Sequence, residues 1–537
     1  MLTASNINLQ FDKKVLFDEV NLNFSKGNCY GVIGANGAGK STFLKILSGE
    51  IEPTKGRIEI TPGERMSVLK QNHQAYDEFM ILDTVMMGND KLWKNMKDKE
   101  VLYSKPDFND DDGMKVAELE ADFAEMDGWM AESNAAELLS NLGVKEDTHK
   151  LLMKDVDANQ KVRILLAQAI FGNPDILLLD EPTNDLDVAT IAWLEDFLAD
   201  FENTVIVVSH DRHFLDMVCT HICDIDFKKI SIFTGNYSFW YQASQLASRQ
   251  RADKNKKAEQ KKEELLDFIR RFSANASKSK QATSRKKALE KLDISEIQPS
   301  SRRYPGIIFS QVREAGNQIL EVENLSSSNE TGTLFSKVSF QINRGDKIAI
   351  ISNDSLAVKQ LYQILANERK ADTGEHKWGQ TVTWAFMPSD NSEFFTDTLN
   401  LVDWLRQYSE DNDENYIRGF LGKMLFSGED VFKKSSVLSG GEKVRCMLSR
   451  LMLQSGNVLL LEEPTGHLDL EAITALNEGL IDFKGTLLFT SQDHEFTQTI
   501  ANRIIEITPK GLIDKLMTYD EYLADEKVQA ERVKMYS

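Results

Sequence analysis

No apolar run in this chain approaches the ~18 residues that span a bilayer, so no membrane-crossing helix is expected. The opening Met1-Leu2-Thr3-Ala4-Ser5-Asn6 lacks a basic stretch followed by an apolar one, so no export signal is expected either. Four cysteines in 537 residues give no disulfide framework. A reducing cytoplasm is the simplest setting. Cys219 and Cys223, near His213 and His221, could be imagined as zinc ligands, but free thiols on one helix face are the preferred reading. Positive charge is also scarce. A net charge of −21 argues against uniform coating of nucleic acid. The deficit is uneven, because Arg249 to Asp293 holds 15 Lys or Arg against 7 Asp or Glu. A basic island in an acidic protein points to a partner of its own.

What is present is a repeat. The length fits two to four domains. Gly27 and Gly345 each precede a strand-like run, at an offset of 318, whereas Asp180-Glu181-Pro182-Thr183 matches Glu462-Glu463-Pro464-Thr465 at an offset of 282. The first half therefore carries 36 extra residues between those landmarks. We place them at about 88–127, as two helical stretches around the polar turn Ser104-Lys105-Pro106-Asp107. Short apolar runs such as Cys29 to Ile33, Ile176 to Leu179 and Val205 to Val208 alternate with helical patterns, which predicts an α/β fold with buried parallel strands. The domains expected are 1–243, a charged helical linker over 244–316, and 317–537. Within the linker, Arg249 to Arg271 and Arg285 to Leu292 read as two helices around a mobile Ser/Ala/Lys-rich tip.

The chemistry begins at Gly34-Ala35-Asn36-Gly37-Ala38-Gly39-Lys40-Ser41-Thr42, a G-x-x-x-x-G-K-S loop between a strand and the helical run Phe43 to Leu47. Its glycines let backbone N–H groups form an anion nest, and the helix N-terminus adds a positive dipole end. Lys40 reaches the outer phosphates, Ser41 binds magnesium and Thr42 begins the helix. After four apolar residues, Asp180 is placed to hold Mg2+ and Glu181 to orient or deprotonate the attacking water. His210 is a candidate donor to the γ-phosphate, Gln71 could join magnesium to the water, and Phe11 could stack on an adenine. Taken singly, Glu181 could be a helix cap, His210 a strand-end surface residue and Phe11 a core residue. Their order around the loop favours the nucleotide reading.

These residues, with Leu438-Ser439-Gly440-Gly441-Glu442 in the second half, resemble ATP-binding cassette domains. Two cassettes, a helical insertion in the first and a charged linker are similar to the ABC-F class, and within it to the YbiT-like bacterial subgroup. The resemblance implies two tandem P-loop ATPase domains, ATP and Mg2+ as ligands, and action on ribosomes as a translation factor or an antibiotic-resistance protein. It also implies that each ATP is sandwiched between the phosphate loop of one domain and the signature of the other.

The two motif sets are damaged in complementary ways. Carried forward by 318, Gly34, Gly37, Gly39, Lys40 and Gln71 land on Ser352, Ser355, Ala357, Val358 and Ser389, and Phe11 lands on Asn329. Lys359 falls one position late, in a different direction on the helix. Carried back by 282, the signature lands on Val156-Asp157-Ala158-Asn159-Gln160, and His210 pairs with Gln492. Under head-to-tail pairing every loss falls in one composite site. The other keeps its loop, Asp180, Glu181 and His210, closed by Ser439, Gly440 and Gly441. Losses scattered over both sites would instead have indicated random decay.

The resemblance also implies that the linker reaches toward ribosomal RNA and the P-site tRNA. The candidate contacts there are Arg270, Arg271, Lys278, Lys280, Arg285, Lys286 and Lys287. The insertion has 6 Lys against 12 Asp or Glu, so ribosomal protein or the L1 stalk suits it better than RNA phosphate. The expectation is a cytoplasmic, monomeric ATPase with intramolecular cassette pairing that binds the ribosome near the exit tRNA site. A soluble clamp on DNA or another assembly, a transporter subunit with a separate membrane partner, and a scaffold without turnover are the alternatives.

Overall fold

The computed structural model describes residues 1–536 apart from 12–13, 71, 73, 185, 187, 273–301 and 330–331. The sequence repeat is a structural repeat. A six-stranded sheet is ordered Met66–Val68, Ile176–Asp180, Thr204–Val208, Cys29–Gly34, His221–Asp226 and Lys229–Thr234. A second has the same order, from Trp384–Met387 through Val458–Glu462, Thr486–Thr490, Lys347–Ile351 and Arg503–Thr508 to Gly511–Lys515. In each only the last strand is antiparallel. Ile176–Asp180 and Thr204–Val208 are almost wholly buried, which is why their sequences read as unbroken apolar runs rather than alternating ones. A smaller three-stranded antiparallel sheet accompanies each large one.

The register of the parallel strands sets the chemistry. Val32 pairs with Val208, and Asp180 also pairs with Val208, so the strands Ile176–Asp180 and Thr204–Val208 end at one level and Cys29–Gly34 runs two residues past it. The loops leaving those ends converge, as the crevice at strand carboxyl ends requires. Each sheet is covered on both faces by separate hydrophobic clusters. Among the described residues one breaks that separation: Leu470 of the second half is buried in a cluster otherwise made by the first.

Two helices, Asp90–Tyr103 and Asp110–Glu125, lie within 88–127. A capping box between Asn109 and Asp112 starts the second, and Asn95 Nδ2 donates to the Leu119 carbonyl between them. A single helix, Tyr237–Phe272, carries the chain out of the first cassette; its 36 residues extend ~54 Å. It begins ahead of residue 244 because Tyr237 and Trp240 are buried in the first cassette's core. Farther on, Ile307 and Phe309 pack into the core of the second cassette. The run Arg285 to Leu292 lies outside the described residues. The cysteines do not share a helix face. Cys219 ends the helix Arg212–Val218, while Cys223 sits on the strand His221–Asp226. Both are buried, and burial raises both thiols. Among the described residues no helix is long and apolar enough to cross a membrane.

Candidate functional site

The phosphate loop joins the central strand Cys29–Gly34 to the helix Lys40–Leu47. The helix starts at Lys40, not Thr42, because Gly39 serves as its N-cap at φ 105°. A side chain at Gly39 would be strained and would also come within 2.8 Å of Leu16 and Phe17. Gly37 has φ 75°. Lys40 Nζ donates to the Gly34 carbonyl at 2.9 Å and is buried. Burial lowers its pKa, and nearby Glu181, Glu471, Asp469 and Asp180 oppose that shift.

Glu181 follows the strand end at φ 51°, a conformation that costs ~1–2 kcal/mol in a non-glycine residue. Its Oε2 accepts the His210 backbone N–H at 3.1 Å, and its Oε1 lies 3.4 Å from His210 Nε2. Burial pushes the Glu181 carboxyl up to about 8, against the His210 N–H and the Lys40 charge. Burial, with Lys40 nearby, pushes His210 down to about 3, so its ring is neutral at pH 7. A neutral imidazole still has one N–H to donate.

This half-site faces the other cassette. The signature helix Gly440–Gln454 is capped by Ser439, whose Oγ accepts the Glu442 N–H while Glu442 accepts the Ser439 N–H at 2.9 Å. A Cβ on Gly441 would meet the His467 carbonyl at 2.6 Å and Asn36 Nδ2 at 3.7 Å, so the loop and the signature touch. Across the seam, the Asn36 N–H donates to Asp469 Oδ2 at 3.4 Å. One cleft of about 1150 Å³ is lined by Ala35, Asn36, Gly37, Gly39, Lys40, Ser41, Thr42, Glu181 and His210 together with Ser439, Gly440 and Gly441. Gly34 and Ala38 complete the loop, and Asp180 ends the adjacent strand. Gln71, Lys278, Lys280, Arg285, Lys286 and Lys287 lie outside the described residues, as do the side chains of Phe11, Arg270 and Arg271.

The matching positions elsewhere are committed to the fold. In the second cassette the helix runs Ser355–Leu365, capped by Asp354. It starts three residues earlier than its counterpart, because Ser355 and Ala357 take helical conformations where Gly37 and Gly39 hold positive φ. Val358 is buried in the core. The Asn353 N–H donates to the Tyr536 hydroxyl at 3.1 Å, and Ser352 Oγ donates to the Ile507 carbonyl at 2.8 Å. Glu462, the match for Asp180, accepts the Ser389 N–H at 3.1 Å. Asp157, the match for Ser439, caps the helix Ala158–Ile170 by accepting the Gln160 N–H at 2.8 Å. Aspartate is as good a cap as serine, so the fold tolerates a charge that a phosphate would not. Glu463 repeats the Glu181 geometry: it accepts the Gln492 N–H at 3.1 Å, and burial lifts it to about 7.

Sequence reasoning missed Asn36 with Asp469, and Glu471 beside them. The signal was present: Asp469 ends Gly466-His467-Leu468-Asp469, the match for Asn184-Asp185-Leu186-Asp187 at the same offset of 282.

Two protein-family models, both described as ABC transporter, match residues 17–184 and 223–309. The chain is 58% identical to the ABC transporter ATP-binding protein YkpA of Bacillus subtilis over all of both chains. It is 42% identical to the ATP-binding protein YbiT of Escherichia coli O157:H7, covering 98% of this chain and all of that one. A solved complex of the archaeal ribosomal stalk protein aP1 with the archaeal ribosome recycling factor aABCE1 shares the fold, at TM-score 0.60 and 16% identity, over 99% of each chain. The tandem cassettes make the chain an ATP hydrolase. It belongs to the ABC-F family of ATP-binding cassette proteins.

Proposed function

We propose that ATP is hydrolysed in one of the two composite sites, and that ATP-driven closure there controls binding to the ribosome near the exit tRNA site. The carrying observation is that Lys40 and Ser439 line one cleft whose walls meet at Asn36 and Asp469. Lys40 and the loop N–H groups bind the phosphates, while Ser439 and the N-terminus of its helix face the γ-phosphate from the opposite wall. Glu181, in its ionised form, takes the proton of the attacking water, and neutral His210 donates to the γ-phosphate. Ser41 and Asp180 offer hard oxygen donors suited to Mg2+, which would neutralise phosphate charge, and Gln71 is the further candidate there. Phe11 stacks on the adenine in this reading.

The γ-phosphate touches both cassettes only when they are closed, so ATP has differential affinity for that state, and its loss on hydrolysis releases it. The second composite site takes no part in turnover.

The ribosomal part rests on other support. The fold neighbour aABCE1 is a ribosome recycling factor. The linker concentrates basic residues, with Arg270, Arg271, Lys278, Lys280, Arg285, Lys286 and Lys287 as the proposed RNA contacts near the tRNA. The acidic insertion suits the L1 stalk or ribosomal protein. The protein acts in the cytoplasm as a monomer whose own cassettes pair. The test is sedimentation of Glu181→Gln with ribosomes in the presence of ATP. Co-sedimentation with arrested translation is expected; sedimentation as free protein would refute the ribosomal reading.

A further inference from the structure

Arg302 lies where the chain returns from the linker, and it bridges the two cassettes. One guanidinium nitrogen donates to Asp224 Oδ1 of the first cassette at 2.5 Å, and another donates to Glu471 of the second. The guanidinium stacks 4.6 Å over the Trp240 ring. All three charged side chains are largely buried, with Arg302 8% and Glu471 2% exposed.

The internal repeat shows what is unusual here. Asp224 pairs in register with Ile33, and its match at offset 282, Glu506, pairs with Ile351. Trp240 likewise matches Tyr522. In the second cassette that acid is satisfied locally: Tyr522 and Arg532 both donate to Glu506 Oε2, at 2.5 and 2.7 Å. In the first cassette the arginine hydrogen-bonded to the matching acid, among the described residues, is Arg302. The cation comes from the far end of the linker and reaches on to the opposite cassette.

Glu471 connects this contact to the ATP cleft. It belongs to the first turn of the helix Leu470–Asp482, whose N-cap is Asp469. The three consecutive residues 469–471 all engage the first cassette's side of the seam. Asp469 accepts the phosphate-loop N–H of Asn36, Leu470 is buried in the first core, and Glu471 takes Arg302.

We propose that Arg302 is a positioning residue for the composite ATP site: by tying Glu471 to Asp224 and Trp240 it holds the Asp469 turn against the phosphate loop, so the returning linker and cleft closure move as one. The inference rests on the composite-site reading above. A guanidinium is required because its fork serves two carboxylates at once while lying flat on an indole, which a lysine ammonium cannot do. Burial raises both acids, and Arg302 opposes that rise in each, so the three groups depend on one another.

The test is ATP hydrolysis by the full chain in Arg302→Lys, Glu471→Gln and the double variant, with melting temperature followed in parallel. Weaker closure raises the KM for ATP by roughly five- to tenfold in each single variant, while kcat at saturating ATP changes less than about twofold, because excess ATP restores closure. The double variant should be no worse than the more severe single one, since both remove the same connection. An unchanged KM in folded single variants, or losses that add in the double, would overturn the proposal. A brace with no role in positioning would lower the melting temperature and leave KM alone. If Arg302→Lys does not fold, Glu471→Gln decides, since it leaves Arg302 paired with Asp224. If Lys40→Ala hydrolyses ATP as well as the wild type does, the composite-site reading fails instead.

Discussion

Glu181 and Glu463 are near-duplicates in geometry, so replacing each by glutamine separates local chemistry from the identity of the cleft. Both sit at positive φ after a buried strand, and both accept a backbone N–H at 3.1 Å, from His210 and Gln492. Glutamine keeps an oxygen able to accept that N–H, so neither change should disturb the fold. A positioned general base contributes about 10²–10⁴ in rate, or roughly 3–5 kcal/mol. Glu181→Gln should lose that factor in phosphate release and accumulate the closed, ATP-bound form. Glu463→Gln should stay within about twofold of wild type, because its own phosphate loop is closed off as a helix. The nucleotide-free proteins supply the control. Burial raises Glu181 to about 8 and Glu463 to about 7 from the ordinary glutamate value of 4.5. An acid raised on folding stabilises when protonated; that stability is present below pH ~4.5 and is lost as pH rises through the folded value. At pH 7 either carboxylate costs on the order of 3 kcal/mol. Both glutamine variants should therefore melt several degrees higher than wild type at pH 7, and the gap should shrink toward pH 5. Comparable ATPase losses in the two variants would refute the single-site argument.

Three further outcomes are expected. Gly39→Ala should abolish ATP binding in a calorimetric titration and lower the melting temperature, since its left-handed backbone alone costs ~1–2 kcal/mol and its Cβ meets Leu16 and Phe17 at 2.8 Å. Ser439→Asp should keep the helix cap and the melting temperature but cut kcat/KM by roughly 10³, because two like charges ~4 Å apart at a partly screened interface repel by about 4 kcal/mol. Val358→Lys should leave the stoichiometry at one ATP per chain, because residues 355–357 are already helical and the Asn353 N–H is engaged by Tyr536.

The features legible in the sequence were the local ones. The phosphate loop, the acids after Ile176 to Leu179 and the position of His210 are read from short spacings, because buried parallel strands leave unbroken apolar runs. The pairing of Lys40 with Ser439 could be inferred only from complementary damage, a global pattern rather than a local one. What went unread was set by contacts across long separations. Asn36 meets Asp469 at a separation of 433 residues, and Arg302 meets Glu471 at 169, and neither leaves a periodicity behind. Helix starts were also misjudged. Thr42 looked like the first helical residue, yet a left-handed Gly39 lets the helix begin at Lys40. The first linker helix was read as Arg249 to Arg271, but it starts at Tyr237, with Tyr237 and Trp240 buried in a core. Cys219 and Cys223, thought to share a helix face, are divided between a helix end and a strand.

The hydroxyl of Tyr536 does more than seal a disused loop. It accepts from Asn353 and shares its one proton between Glu506 and the Ile507 carbonyl, so the helix Glu526–Tyr536 is moored against the loop that matches the first cassette's phosphate loop. A phosphate seeking the Asn353 N–H would have to displace that hydroxyl first. Restoring the lost glycines and lysine one at a time would therefore gain nothing, and the asymmetry between the cassettes is protected by a ratchet of packing rather than by the missing motif alone.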